Sequence, residues 1–355
     1  MKKYFAVPAV MTLALGLTAC SSGSGNTGAK DGEKPAQVLN LSKENDVITM
    51  DSTLATDGMS FEVINMCIEG LETTNENADI VPALAESYDV SDDDLTYTFH
   101  LRDAKWSNGD PVTAADFEYA WKDAATDPTC DYAYIFGSDG ACIKGADEAM
   151  GDPAKKDEIA VKAVDDKTLE VTLSRKTPYF VSLTTFPPFY PVNEKFAEEQ
   201  GDQYGLSPDN LLYCGPFKLD EWVKGNSLKL SKNADYWGAD DVALEEININ
   251  IVPEPSSAAL AYENGTTDYA RLNSSLVDKY KDNEAYKSVL GSFLWYLQYN
   301  FENGDLQNEN LRKALTYAVD KENLTQNVLK DGSIPAEGFV TVKLANGPDG
   351  KDYRE

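Results

Sequence analysis

The chain has 355 residues, and its 31 Lys and Arg against 60 Asp and Glu give a formal net charge of −29 at pH 7. This length exceeds the roughly 100–200 residues typical of one domain, so we expect at least two domains. Hydrophobic residues make up 42%, enough to build a core and too many for a disordered chain. The strong negative charge excludes nucleic acid as a partner, because phosphate backbones would repel it. The single histidine, His100, excludes metal sites built on several imidazoles and argues against a histidine-activated nucleophile.

The first twenty residues are typical of a lipoprotein signal peptide. Lys2 and Lys3 precede an apolar stretch at 4–19, which is shorter than the roughly 20 residues that a membrane-spanning helix needs. The stretch ends in Leu-Thr-Ala-Cys, which resembles a lipobox and predicts lipidation of Cys20. Residues 21–37 begin with a run of Ser and Gly and predict a flexible tether. We expect a lipid-anchored protein on the extracellular face of the cell membrane, periplasmic in a Gram-negative cell; an ordinary secretory signal is the alternative.

Four further cysteines bear on the redox state of the protein. Cys67, Cys130, Cys142 and Cys214 are an even number, which in an exported protein permits two disulfides. Their spacing contains no C-x-x-C pattern, which argues against a zinc or redox site. Cys130 and Cys142 bracket a short aromatic loop and are the pair that we predict to be bonded. Free buried thiols are the alternative.

Hydrophobic periodicity predicts a mixed α/β protein. Apolar residues alternate with polar ones on the predicted strands and recur at helical spacing elsewhere. Strands are predicted at 95–101, 169–173 and 247–251, and helices at 256–263, 312–319 and 323–329. Thr113 with Asp116 forms a capping pattern at the start of another helix. His100 falls on the polar face of its strand, which predicts a solvated side chain.

Several motifs together resemble one protein family. They are CIEGL at 67–71, VPALAESY at 81–88, TYTFHLRDAKWSNGDPVTAADF at 96–117, VDDKTLEVTL at 164–173, GPFKL at 215–219, NADYW at 233–237 and RKALTYAVD at 312–320. Their content and order are similar to those of the bacterial solute-binding protein family 5, the oligopeptide- and dipeptide-binding proteins. The motif at 96–117 is the most specific of them. The likeness runs from about Val38 to the last residue.

The resemblance implies an α/β fold of the periplasmic-binding-protein type II class, with two lobes around a ligand cleft and a smaller inserted domain. Residues 38–69 and 191–265 would form lobe one, residues 70–190 the inserted domain, and residues 266–355 the start of lobe two. Family members are longer, so we expect this chain to be an N-terminal part with a truncated, incomplete second lobe. The acidic residue that pairs with the peptide amino group in the family would then lie beyond residue 355.

The resemblance also implies which residues face the ligand. They are Thr56, Asp57, Gly58, Tyr132, Tyr299 and Asn300. The first three correspond to a loop that pairs with the peptide backbone as an added strand, although Asp57-Gly58 could simply be a turn before a helix.

The other three implied residues lie further along the chain. Tyr132 follows the Asp127-Pro128 loop and is the counterpart of a ligand-lining tyrosine, with Tyr134 as the rival. Tyr299 and Asn300, at the end of an apolar strand, would line the hinge, with core packing as the alternative.

The function implied is that of an extracellular substrate-binding lipoprotein, which captures oligopeptides and delivers them to the permease subunits of an ABC transporter. This reading includes no catalytic residue, no metal site and no cofactor. One alternative is a family member that binds another solute: a dipeptide, a nickel complex, haem or a sugar. A secreted hydrolase is the other alternative, and it would need a nucleophile and a base that the sequence does not display.

Overall fold

The computed structural model describes residues 37–291 and 293–341, and two four-stranded sheets organise most of them. The strands are β1 Val38–Lys43, β2 Glu72–Thr74, β3 Ile80–Pro82, β4 Ala85–Val90, β5 Thr96–Leu101, β6 Val161–Asp165, β7 Thr168–Thr172, β8 Phe217–Val223, β9 Ser227–Lys232 and β10 Glu246–Ile251. The helices are α1 Gly58–Cys67, α2 Ala114–Thr126, α3 Ala146–Gly151, α4 Phe180–Leu183, α5 Glu194–Gln200, α6 Pro255–Glu263, α7 Ser274–Tyr280, α8 Glu309–Ala318 and α9 Lys321–Asn323. The predicted signal peptide, with Cys20, and nearly all of the tether lie outside the described residues.

The first sheet joins segments that are far apart in sequence. Its order is β1-β10-β9-β8, with β1 parallel to β10 and the other pairs antiparallel. Ile247 and Ile249 on β10 are buried, as the alternation in the sequence predicted. A strand from the beginning of the described chain therefore lies beside strands from residues 217–251.

The second sheet is local, since its strands all come from residues 85–172. Its order is β4-β5-β7-β6 and every pair is antiparallel. Tyr97, Phe99 and Leu101 are buried on one face of β5, which confirms the predicted strand. Helix α2 packs on β6 and β7, and Trp121 on its inner face donates a hydrogen bond from Nε1 to the Phe189 carbonyl oxygen at 2.8 Å.

The predicted capping pattern at the start of α2 is present and serves a second purpose. Asp116 Oδ2 accepts hydrogen bonds from the Thr113 backbone N–H at 2.8 Å and from Trp106 Nε1 at 3.2 Å. Trp106 is fully buried, so its indole N–H needs an acceptor inside the protein. One carboxylate thereby fixes both the helix start and the tryptophan of the 96–117 motif.

The predicted disulfide between Cys130 and Cys142 is not formed. All four cysteines described by the structure are buried free thiols. The two side chains are held by different neighbours: Cys130 Sγ donates to the Thr53 carbonyl oxygen at 3.1 Å, whereas Cys142 Sγ accepts from Arg175 Nε at 2.9 Å. Flanking the same loop in sequence did not make these thiols partners in space.

The chain after residue 270 differs from the part before it. Helices α7 and α8 have no fully buried residue among those described, and Leu311, Leu315 and Val319 are 38%, 42% and 44% exposed.

None of the helices in the described ranges is long and apolar enough to cross a membrane. The domain boundaries given above stay a prediction, although the strands of the two sheets fall on either side of them.

Candidate functional site

The loop before α1 presents backbone to solvent. Asp57 caps the helix, because its Oδ1 accepts from the Ser60 N–H at 2.9 Å and its Oδ2 accepts from the Ser60 hydroxyl at 2.5 Å. Thr56 and Gly58 are exposed, and a Cβ atom added to Gly58 would meet no atom within 4 Å. Asp57 and Gly58 therefore lie at the start of α1, and the space beside Gly58 is open to an approaching chain.

An aromatic cluster lies beside this loop. Phe61, in the first turn of α1, packs edge-on against Tyr132 with 5.9 Å between ring centroids and against Phe186 at 5.0 Å. Tyr132 also contacts Phe186 at 5.2 Å and Tyr134 at 6.2 Å. The first three rings are half-buried, while Tyr134 is 50% exposed. We call Phe61, Tyr132, Tyr134 and Phe186 the aromatic cluster.

A hydrogen bond from a cysteine thiol joins the loop before α1 to the loop that carries Tyr132. The Cys130 thiol donates to the Thr53 carbonyl oxygen at 3.1 Å, which links the loop after α2 to the loop before α1. Burial raises the pKa of this thiol to about 11, so it stays protonated and remains a donor. Tyr132, two residues further on, is thus held near the start of α1.

These contacts bring together four of the six residues expected to face the ligand, and they place a fifth, Tyr299, in another part of the structure. Residues 56–58 and Tyr132 lie in one region, joined through Phe61 and the Cys130–Thr53 bond. Tyr299 lies elsewhere: its hydroxyl donates to the Arg312 carbonyl oxygen at 3.0 Å and contacts the Thr316 hydroxyl at 2.9 Å, both on α8.

The expected strand before Tyr299 is not formed, because residues 293–300 lie in no strand of the structure. Asn300 instead accepts from the Glu302 N–H at 2.9 Å in a local turn. Among the described residues, no hydrogen bond or ring contact joins either residue to the start of α1. The hinge-lining role of Tyr299 and its alternative, core packing, both stay predictions.

Phe61 and Phe186 are the site residues that sequence reasoning missed. The two rings are 125 positions apart along the chain and meet only in the folded protein. Phe61 could have been found as the first aromatic residue after the capping Asp57, whereas nothing local to Phe186 distinguishes it from a core residue. Together these rings and residues 56–58 can accept an extended chain, with backbone groups on one side and apolar contact on the other.

A second cluster brings the family motifs together. Glu69 is buried and accepts from Tyr236 OH at 2.7 Å and Trp237 Nε1 at 2.6 Å. Arg102 stacks over the Trp237 ring with its guanidinium carbon 3.6 Å from the ring centroid. Three motifs, at 67–71, 96–117 and 233–237, therefore meet around one carboxylate. No group of three or more His, Cys, Asp or Glu in the described chain is placed to hold a metal ion.

Comparisons with known proteins show which proteins this chain resembles. The chain is 35% identical over its whole length to the dipeptide-binding protein DppE of Bacillus subtilis and 36% identical over 99% of its length to the oligopeptide-binding protein OppA of the same organism. It spans 65% and 66% of the length of these two relatives. Among solved structures, Listeria monocytogenes OppA bound to peptide matches 90% of this chain and 64% of that chain, with a TM-score of 0.82 and 37% identity.

The likeness confirms the fold class predicted from the motifs. Neighbours of this structure are periplasmic binding proteins of the OppA type, and like them the protein is mixed α/β. The family that matches is one of extracellular proteins, so the protein acts outside the cytoplasm. Residues 79–355 match the model of the middle part of that family, and the chain belongs to the bacterial extracellular solute-binding proteins, family 5.

Proposed function

We propose that the protein captures peptides outside the cytoplasm and delivers them to the permease of an ABC transporter. The observation that carries this proposal is the open backbone at residues 56–58 beside the half-exposed aromatic cluster. The names of the relatives support it, since they are dipeptide- and oligopeptide-binding proteins. Binding and release would be the whole activity, with no bond made or broken.

The geometry suggests how one site could accept peptides of many different sequences. A backbone-to-backbone contact at Thr56 to Gly58 is independent of the peptide sequence. Aromatic rings such as Phe61 and Tyr134 offer broad apolar contact that tolerates different side chains. Recognition would therefore depend mainly on the shape of an extended chain, with water filling the space around smaller side chains.

The test of this function is Gly58→Val. The new side chain would stand in open space in the folded protein, so it should not disturb folding, but it would occupy the space that a peptide backbone needs. We expect calorimetry on the intact protein to show that several unrelated peptides bind about tenfold more weakly or worse.

The matched control is Gly151→Val, because Gly151 ends α3 and a Cβ atom there also meets nothing within 4 Å. Its peptide affinities should equal those of the unchanged protein. A loss confined to one peptide would instead place residues 56–58 in a side-chain pocket, and no loss at all would remove this loop from the binding site.

Anchoring is a further part of the proposal. Lipidation of Cys20 would hold the protein at the outer face of the membrane, with the Ser/Gly-rich residues that follow as a tether. The anchor would keep the captured peptide close to the permease. Burial of acyl methylenes, at about 0.8 kcal/mol each, is the physical source of such attachment.

A further inference from the structure

A groove on the second sheet is separate from the aromatic cluster and residues 56–58. It has a volume of about 870 Å³ and shares no lining residue with them. Tyr88 and Val90 of β4 lie opposite Phe99 and Tyr97 of β5, so their side chains point to the core-facing side of the sheet. Both are nevertheless 41% exposed. The groove thus exposes an apolar surface that ordinarily would be covered.

The strand that lines the groove is also an edge strand. The order β4-β5-β7-β6 places β4 at one end of the sheet, with β5 as its hydrogen-bonded neighbour. The N–H of Ala85 at the start of β4 is taken by the Leu71 carbonyl oxygen at 2.9 Å, while Glu86 to Val90 are all exposed. An exposed edge strand is a template for pairing with another extended chain.

A buried carboxylate at the groove lacks hydrogen-bond donors. Glu72 lines the groove and is 2% exposed, yet its Oε1 has no hydrogen-bond partner in the described chain. The charge of Arg102 acts on Glu72, but that guanidinium is stacked on Trp237 and forms no ion pair within 4 Å among the described residues. Leaving a buried acceptor unsatisfied costs free energy, and an incoming donor would recover it.

The remaining charges of the groove are also unbalanced. Lys176 pairs with Asp94 at 2.8 Å, so these two lining residues neutralise each other. Glu86 and Glu72 are then left as the acidic residues of the lining. The electrostatic surplus favours an occupant that carries a positive charge.

From these features we propose that the groove is an accessory site for an extended peptide that carries apolar side chains and a basic side chain on the same face. Its backbone pairs with the edge of β4, its apolar side chains cover Tyr88 and Val90, and a cationic group meets Glu72. This site is additional to the one in the proposed function and does not depend on it.

The probe is a pentapeptide with both ends blocked, acetyl-Val-Ser-Val-Ser-Lys-amide, whose Val and Lys side chains lie on one face of an extended chain. It offers no free amino group to a site that recognises one. We expect calorimetry on the intact protein to show saturable binding of this peptide and none of acetyl-Val-Ser-Val-Ser-Glu-amide. Glu72→Gln keeps the side-chain shape but removes the charge, so binding should weaken about tenfold. Val90→Lys adds a positive charge inside the groove and should abolish it.

The matched control is Glu158→Gln, which removes an exposed carboxylate that does not line the groove and should leave binding unchanged. Should Glu72→Gln fail to fold, Val90→Lys decides, because that side chain is partly exposed in the folded protein. Equal binding of the basic and acidic peptides, or unchanged binding in Val90→Lys, overturns the proposal.

A Gly58→Val protein distinguishes this site from the proposed main site. It should lose affinity for peptides with free ends and keep its affinity for the blocked basic peptide. Loss of both would mean that one site binds both probes, and the accessory site would be wrong. Retention of both would count against the main site alone.

Discussion

At the scale of single residues, three of the four buried carboxylates in the described chain differ in the hydrogen-bond donors around them. Burial raises the pKa of Glu69, whose charge is partly compensated by hydrogen bonds from Trp237 and Tyr236. Burial likewise raises the pKa of Glu72 to about 7 and that of Asp116 to about 6. Asp116 accepts hydrogen bonds from Thr113 and Trp106, which gives it a structural role. Glu72 Oε1 has no hydrogen-bond donor among the described residues, which is the reason for proposing that a ligand supplies one.

The pKa of Glu72 has a consequence for stability against pH. Because the folded pKa lies above the usual carboxylate value near 4.5, the folded protein binds a proton that the unfolded chain releases at intermediate pH. The contribution of Glu72 to stability is therefore most favourable below about pH 4.5 and is lost as the pH rises through about 7. A pKa shift of this size corresponds to a change of up to about 3 kcal/mol in the free energy of unfolding across this pH range.

Urea unfolding at pH 5 and pH 8 tests this consequence. We expect Glu72→Gln to unfold at a higher urea concentration than the unchanged protein at pH 8, with a smaller difference at pH 5. Glu158→Gln, at an exposed position, is the control and should change neither value. An equal effect of Glu72→Gln at both pH values would show that the carboxylate does not titrate between them.

At the scale of elements, residues of the family motifs connect helices and strands through backbone and side-chain hydrogen bonds. The N–H groups of Cys214 and Gly215 both donate to the Cys67 carbonyl oxygen at the end of α1, at 3.2 and 2.9 Å. Asn233 Nδ2 then donates to the Gly215 carbonyl oxygen at 2.9 Å. The end of α1, the approach to β8 and the turn after β9 are thereby locked together. These motif residues hold the scaffold, and the candidate ligand surface lies at the other end of α1.

Close backbone packing makes Gly215 sensitive to substitution. A Cβ atom at Gly215 would lie 2.7 Å from the Cys67 carbonyl carbon and 2.8 Å from the Ile68 nitrogen, both backbone atoms that cannot move aside freely. We expect Gly215→Ala to destabilise the protein by about 2 kcal/mol or more, measured by denaturant unfolding. Gly58→Ala, in open space at the start of α1, is the control and should change stability by less than about 0.5 kcal/mol.

Elements with a strong local pattern were predictable from the sequence. The alternation on β5 and β10 and the capping pair at Thr113 and Asp116 all reappear in the structure. Features that depend on distant contacts were not: the Phe61–Phe186 contact and the separate neighbours of Cys130 and Cys142 arise only in the folded chain. The proximity of residues 56–58 to Tyr132 was implied by family resemblance rather than by any periodicity.

At the scale of the whole molecule, anchoring can be tested through Cys20. If the Leu-Thr-Ala-Cys sequence is a lipobox, Cys20→Ser should leave the signal peptide uncleaved or release a processed protein from the membrane. Fractionation of cells with detection of both precursor and mature protein distinguishes the two outcomes. Cys214→Ser is the control thiol, since Cys214 is buried in the fold and cannot be a lipid acceptor. A processed Cys20→Ser protein that stays with the membrane would contradict lipid anchoring.

The parts of the described chain before and after residue 270 should also differ in local stability. Strands β5 and β7 carry a continuous buried face that includes Phe99, Leu169 and Val171, so their amides should open only with much of the fold. Between residues 271 and 341, Thr325 is the one buried residue among those described, so α7 and α8 are held by few buried contacts. We expect hydrogen exchange on the 355-residue chain to be at least about 100-fold slower in β5 and β7 than in α7 and α8.

The apolar stripe of α8 adds a second measurement to this comparison. Leu311 and Leu315 on α8, and Val319 directly after its end, are each more than a third exposed, which favours association of chains through this surface. Replacing Leu315 by Lys should therefore reduce association in sedimentation experiments and leave exchange in β5 unchanged. Equal protection on both sides of residue 270 would show that contacts beyond those described stabilise the later helices, and an unchanged sedimentation profile would show that the stripe is not the associating surface.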